Sequence, residues 1–125
     1  MAALYSDILL DHFRHPRNYG SLASPDVSNE QFNPLCGDRI RLELKLEGSK
    51  ITDVRFKGDG CAISIAAASL LTELILDSDV TEANAITDAR LISALASDIK
   101  PARLQCALLP LNALREGLEE YKSPS

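Results

Sequence analysis

Apolar residues recur four apart at the start of the chain: Leu4 with Ile8, then Tyr5 with Leu9 and Phe13, while Asp7, Asp11 and Arg14 fall elsewhere. That spacing predicts a short amphipathic helix. His15-Pro16 ends it, because the residue before a proline is pushed out of the α region. Residues 17–31 are rich in Asn, Ser, Gly and Pro and read as a loop, with a weak edge strand at 27–32. From Arg39 the period changes to two. Ile40, Leu42, Leu44 and Leu46 alternate with Arg39, Arg41, Glu43, Lys45 and Glu47, which predicts a strand with one buried face and one solvated, mixed-charge face. Gly48-Ser49 turns the chain, and residues 50–56 form the second strand of an antiparallel hairpin, with Val54 and Phe56 on one face.

Beyond Gly58-Asp59-Gly60, residues 62–76 are apolar nearly all round, as suits a helix at the centre of a domain. Residues 81–97 read as a helical stretch broken near Asp88. Ala107, Leu111, Leu114, Leu118 and Tyr121 repeat at 4-3-4-3 spacing in a last helix, with Asn112, Arg115, Glu116, Glu119 and Lys122 on its outer side. Proline belongs in a helix's first turn, so Pro110 puts the start of that helix near Cys106 or Ala107. Strands come early and helices late, with no repeat and no linker. The expectation is a single α+β domain over 1–125, a small antiparallel sheet of about three strands packed against several helices.

A chain of 125 residues, 46% hydrophobic, builds a core without disulfide staples. Its net charge of −5, from 13 basic and 18 acidic side chains, argues against nucleic acid, whose recognition begins with clustered Lys and Arg. The longest uncharged run, 60–72, falls short of the ~20 apolar residues of a membrane-spanning helix. Neither a membrane span nor a cleaved leader is expected. Three cysteines cannot all pair with one another, so a reducing compartment, the cytoplasm, is expected, where thiols stay free for metal or sulfur chemistry.

Each cysteine sits at a junction. Cys36 lies in Asn33-Pro34-Leu35-Cys36-Gly37-Asp38, just before the strand at Arg39; Cys61 follows Gly58-Asp59-Gly60 and opens the central helix; Cys106 lies near the start of the last helix. A helix N-terminus favours a thiolate. Taken singly, a cysteine is as well explained as a small buried hydrophobe, and Asp38 as a turn or capping residue. Neighbouring Gly, Pro and helix starts weaken that alternative for the three together, and Asp38 offers a hard oxygen beside soft thiolates.

The motifs 33–38, Gly58-Asp59-Gly60-Cys61-Ala62-Ile63-Ser64 and Arg103-Leu104-Gln105-Cys106, with Tyr5-Ser6, Asp11-His12-Phe13, Asn18-Tyr19-Gly20 and Tyr121-Lys122, resemble the U-type iron-sulfur cluster assembly scaffolds: IscU, SufU and the N-terminal domain of NifU. The resemblance covers nearly the whole chain. It implies a non-enzymatic scaffold that accepts sulfur from a cysteine desulfurase, combines it with iron into a transient [2Fe–2S] cluster and passes the cluster to apo acceptor proteins. Carried over by motif, Cys36, Asp38, Cys61 and Cys106 are the ligand set for zinc or for the cluster, and the three cysteines are the candidate persulfide acceptors. Cys₃Asp differs from the Cys₄ set that holds clusters permanently, and its carboxylate offers a point where ligand exchange starts.

Three departures matter. Gln105 stands where IscU proteins usually carry His, a residue that SufU proteins also tend to lack. The longer SufU insertion between the second and third cysteines is absent, since Cys61 and Cys106 are 45 apart. The combination reads as a SufU-like site on a compact IscU-like frame. Of the Leu-Pro-Pro-Val-Lys segment read by a dedicated Hsp70 chaperone, only Pro101 and a basic residue, Arg103, survive at 99–103, which argues against that partner. Arg103 either holds a thiolate or persulfide charge near Cys106 or is an ordinary surface arginine. His12 and His15 are assigned surface or capping roles. The desulfurase is expected on the face carrying the cysteine loops and the first helix, with Tyr5 in the contact. The competing functions are a zinc-containing sulfurtransferase partner of a SufS-type desulfurase and a zinc-stabilised interaction domain. A thiol hydrolase built on Cys36, His12 and Asp38 lacks a recognisable oxyanion hole.

Overall fold

The computed structural model describes residues 5–35 and 37–122. Strands β1 (Val27–Asn33), β2 (Asp38–Glu47) and β3 (Lys50–Asp59) form one antiparallel sheet in the order β1-β2-β3. The weak strand at 27–32 is therefore present, at an edge of the sheet. Its inner face carries Ile40, Leu42, Leu44, Val54 and Phe56, all essentially inaccessible, as the period of two requires. The alternation falters at Leu46, half-buried, where the β2–β3 register shifts between Lys45 and Leu46.

Helix α1 (Asp7–Arg14) begins after Ser6, whose hydroxyl accepts from the Leu9 amide at 3.0 Å and donates to the Leu95 carbonyl at 2.6 Å. That cap ties the start of α1 to the chain after α4. Tyr5 precedes the helix, and Leu4 lies outside the described residues. The central α2 (Ala62–Ile75) is buried on nearly every side, between the sheet, α1, α4 and α5. The stretch expected at 81–97 is two short helices, α3 (Val80–Asn84) and α4 (Asp88–Ala94), capped by Asp79 and Thr87. A 3₁₀ turn over Pro101–Arg103 leads into α5 (Leu104–Lys122). The start near Cys106 holds to within a turn, but Pro110 lies inside the helix, and it is Pro101 that occupies the first-turn position. Lacking an N–H, Pro110 cannot supply the helical bond to the Cys106 carbonyl. At Gly117 a Cβ would come 2.8 Å from Val27 Cγ1, so only glycine lets α5 lie this close on β1.

Two expectations need correction. Glu43, assigned to the solvated face of β2, is 6% exposed because the chain from 20 to 26 crosses that face: the Leu22 amide donates to its carboxylate at 2.8 Å, and Lys45 reaches the Ser24 carbonyl at 3.0 Å. His12 is not on the surface either. It is 6% exposed and packs on α2, with Nδ1 2.8 Å from Ser69 Oγ and Nε2 3.4 Å from Glu73. Burial first, and then the Arg17 charge, hold its pKa below the ordinary value against the opposing pull of Glu73 and Asp11, so the ring is neutral at pH 7. His15 is exposed at the end of α1. Among the described residues no helix is long and apolar enough to cross a membrane.

Candidate metal centre

Antiparallel pairing brings the start of β2 beside the end of β3: Arg39 faces Asp59 in the register. Asp38 therefore lies next to the Gly60-Cys61 segment that opens α2. The Asp38 carboxylate, 3% exposed, accepts from the Cys61 amide at 3.3 Å through Oδ1, and the Cys61 thiol approaches Oδ2 at 3.6 Å. Cys61 is the N-cap residue of α2 and makes no side-chain capping bond of its own. Asp38, arriving from a strand, satisfies a donor at that helix end instead. Cys106, fully buried in the first turn of α5, completes the group.

The ligand atoms of Asp38, Cys61 and Cys106 all lie within 4.8 Å of one another. Zn–S bonds of roughly 2.3 Å put ligands of a single tetrahedral ion roughly 4 Å apart, so this group needs little movement to share one ion. Two thiols and a carboxylate suit zinc or iron, and leave one position of a four-coordinate site to be filled. Cys36 lies outside the described residues, so its place in the expected set of four is a sequence inference alone.

Three neighbours shape the group. Gly60 has no room for a side chain: a Cβ there would sit 2.3 Å from Ser64 Oγ and 3.2 Å from the Asp38 carboxylate. Ser64, fully buried, donates to the Cys61 carbonyl at 3.1 Å and has its hydroxyl 3.8 Å from Cys61 Sγ. Arg103, from the 3₁₀ turn before α5, is held further above its ordinary pKa by Cys61 first and Cys106 second, with a hydrogen bond to Cys61. It is exposed, so its charge meets the thiols from the solvent side. Gln105 lines a cavity of about 310 Å³ with Phe32, Leu35 and Leu109. Ser64 was not singled out in the sequence beyond its place in the motif over 58–64.

The decisive comparison is with the family described as the NifU-like N-terminal domain, which matches residues 4–125. The chain belongs to that family. Among its relatives, the zinc-dependent sulfurtransferase SufU of Bacillus subtilis is 37% identical to this NifU-like domain, with 92% of this chain and 89% of SufU covered. The iron-sulfur cluster assembly scaffold protein IscU 1 of Archaeoglobus fulgidus is 34% identical, over 94% of this chain and 76% of that protein. The crystal structure of a SufU from Fervidobacterium islandicum AW-1 superposes with a TM-score of 0.82 at 27% identity, covering 92% of this chain and 96% of that one. The three-stranded α+β fold is thus the family's.

Proposed function

We propose that this NifU-like domain is a scaffold for iron-sulfur cluster assembly: it takes sulfur from a cysteine desulfurase, holds iron and sulfur as a transient [2Fe–2S] cluster and yields the cluster to apo acceptor proteins. The observation that carries the reading is the convergence of Asp38, Cys61 and Cys106 from β2, the N-cap of α2 and α5. With Cys36 they would form the four-ligand set. A bound metal supplies the charge that keeps these thiols ionised at neutral pH.

The chain's own groups account for the sulfur transfer, while reduction of the transferred sulfur to the sulfide of a cluster needs electrons from a separate reductase or ferredoxin-type donor. A thiolate of Cys36, Cys61 or Cys106 attacks the terminal sulfur of the donor's persulfide; the donor's S–S bond breaks, a new S–S bond forms here, and the donor cysteine leaves as thiolate. Arg103 lies where its guanidinium balances the negative sulfur that arrives. Asp38, a hard ligand beside soft ones, is the bond that opens when the cargo leaves.

A second reading is favoured by the 37% identical zinc-dependent SufU and by Gln105 in place of a metal-binding His: a zinc-containing sulfur acceptor that stimulates its desulfurase and relays sulfur without building a cluster. Anaerobic reconstitution with iron, cysteine and a desulfurase, read by absorption and Mössbauer spectra and by transfer to an apo-ferredoxin, separates the two. A transferable [2Fe–2S] species supports the scaffold; a protein that keeps zinc, forms no cluster and accelerates the desulfurase overturns it in favour of the relay. Cys61→Ser and Cys106→Ser are each expected to abolish stoichiometric zinc binding, and full affinity in either variant removes that residue from the site.

A further inference from the structure

The two edges of the sheet are treated differently. The outer edge of β3 is closed by the chain itself: Asn18 and Gly20 bond to Phe56, and Asp77 and Ser78 bond to Ile51. β1 pairs with β2 on one side, and the described residues place no strand on the other. Three cavities lie along that side of β1 against α5: one of about 750 Å³ lined by Asp26, Val27 and Ser28 with Gly117, Glu120 and Lys122, a second of about 270 Å³ lined by Asn29 with Glu116, Glu119 and Glu120, and a third of about 310 Å³ lined by Phe32 and Leu35 with Leu109. Successive residues of a strand point to opposite faces, so a cavity lined by 26, 27 and 28 in succession looks onto the backbone edge and not onto one face.

The second of these cavities is acidic: Glu116 and Glu120 accept from the neutral side-chain amides of Gln31 and Asn29, and Glu119 stands beside them. Among the described residues no Lys or Arg pairs with any of the three. Toward the metal centre the character changes: Phe32 is 52% and Leu35 91% exposed.

We propose that this edge is the docking site for an extended, lysine- or arginine-bearing segment of a partner protein, added to β1 as a fourth strand. Its basic side chains meet Glu116, Glu119 and Glu120, and an apolar side chain covers Phe32 and Leu35. Main-chain bonds to the edge supply affinity, and the carboxylates supply the choice of partner. A second copy of this chain fits poorly: antiparallel pairing of two β1 strands about their midpoint sets Glu30 against Glu30 and brings the two acidic clusters together. The site holds a partner's tail beside the metal centre whether that centre carries zinc or a cluster, so it does not rest on the functional reading above.

The test is a titration of the zinc-loaded full chain with a capped nine-residue peptide of alternating Lys and Val, followed by backbone amide NMR and hydrogen exchange. Binding is expected to protect amides of β1, to weaken as salt rises, and to weaken roughly two- to five-fold for each of Glu116→Gln and Glu120→Gln, which keep the acceptor oxygen for Gln31 and Asn29. The same peptide N-methylated at alternate residues retains its charge and cannot form the ladder; it is expected not to bind. Equal binding of the methylated peptide, shifts confined to the Arg39 and Arg41 face, or a dimer whose contact protects β1 would each overturn the proposal.

Discussion

Replacing Gly60 by alanine tests how tightly the metal centre is built. Gly60 does not have a left-handed φ, so alanine costs nothing in backbone conformation there; the cost is space. The added methyl would lie 2.3 Å from Ser64 Oγ, a side-chain atom that can rotate, and 3.2 Å from the Asp38 carboxylate, which the Cys61 amide holds in place. Overpacking of this kind costs about 1–3 kcal/mol, offset by about 0.4–1 kcal/mol from the stiffer unfolded chain. A net loss of about 1–2 kcal/mol follows, or about 4 °C in Tm for each kcal/mol at this chain length. Urea and thermal unfolding of the chelator-treated protein measure it. Adding Ser64→Ala removes the nearer clash and is expected to restore most of the stability, a coupling readable as a double-mutant cycle. It leaves the methyl against Asp38, so zinc affinity, measured by competition with a chromophoric chelator, stays reduced in the double variant. A Gly60→Ala protein as stable and as zinc-avid as wild type would refute the packing argument, and so would a Ser64→Ala change that rescues neither property.

Asp38→Ala is expected to slow transfer of a reconstituted cluster to an apo acceptor while lowering apo-protein stability by about 0.5–2 kcal/mol through loss of the bond to the α2 N-terminus; equal transfer rates at equal loading would remove the labile-ligand role. His12 titrates lower in the fold than in the unfolded chain, so the unfolded state takes up protons first. Stability is therefore complete above about pH 6.5 and falls as pH drops through and below that value; His12→Gln is expected to flatten this part of the profile in urea midpoints taken from pH 5 to 8. Tyr5, half-buried ahead of α1, is expected at the desulfurase contact, so that Tyr5→Asp weakens that binding with fold and zinc content intact. Unchanged affinity in calorimetry would take Tyr5 out of the interface.

Strand β2 and helix α2 were legible because local pattern and final burial agree: the alternation from Ile40 to Leu44 and the unbroken apolar stretch after Cys61 each describe their own surroundings. Glu43 and His12 were not. Each is buried by a segment remote in sequence, the crossing chain near Leu22 and the face of α2 at Ser69, and no spacing within β2 or α1 reports that. The meeting of Asp38 with Cys61 follows from the hairpin, since the antiparallel register sets the first residue of one strand beside the last of the other. Cys106 is different, because its approach depends on how α5 packs across the sheet. Pro110 pointed to nearly the right helix start for the wrong reason, as Pro101 already filled the first-turn position.

Asp38, Cys61 and Cys106 come from three elements separated by 23 and 45 positions, so bringing all three together requires the sheet, α2 and α5 to be packed. A metal held by all three would therefore select the native state, and free zinc at a hundred times its dissociation constant would add about 2.7 kcal/mol to the unfolding free energy. Occupancy thus becomes a gauge of whether the chain has folded. On the proposed function, a domain emptied of metal would be the one most exposed to proteolysis, so the lifetime of the protein would follow the occupancy of this site.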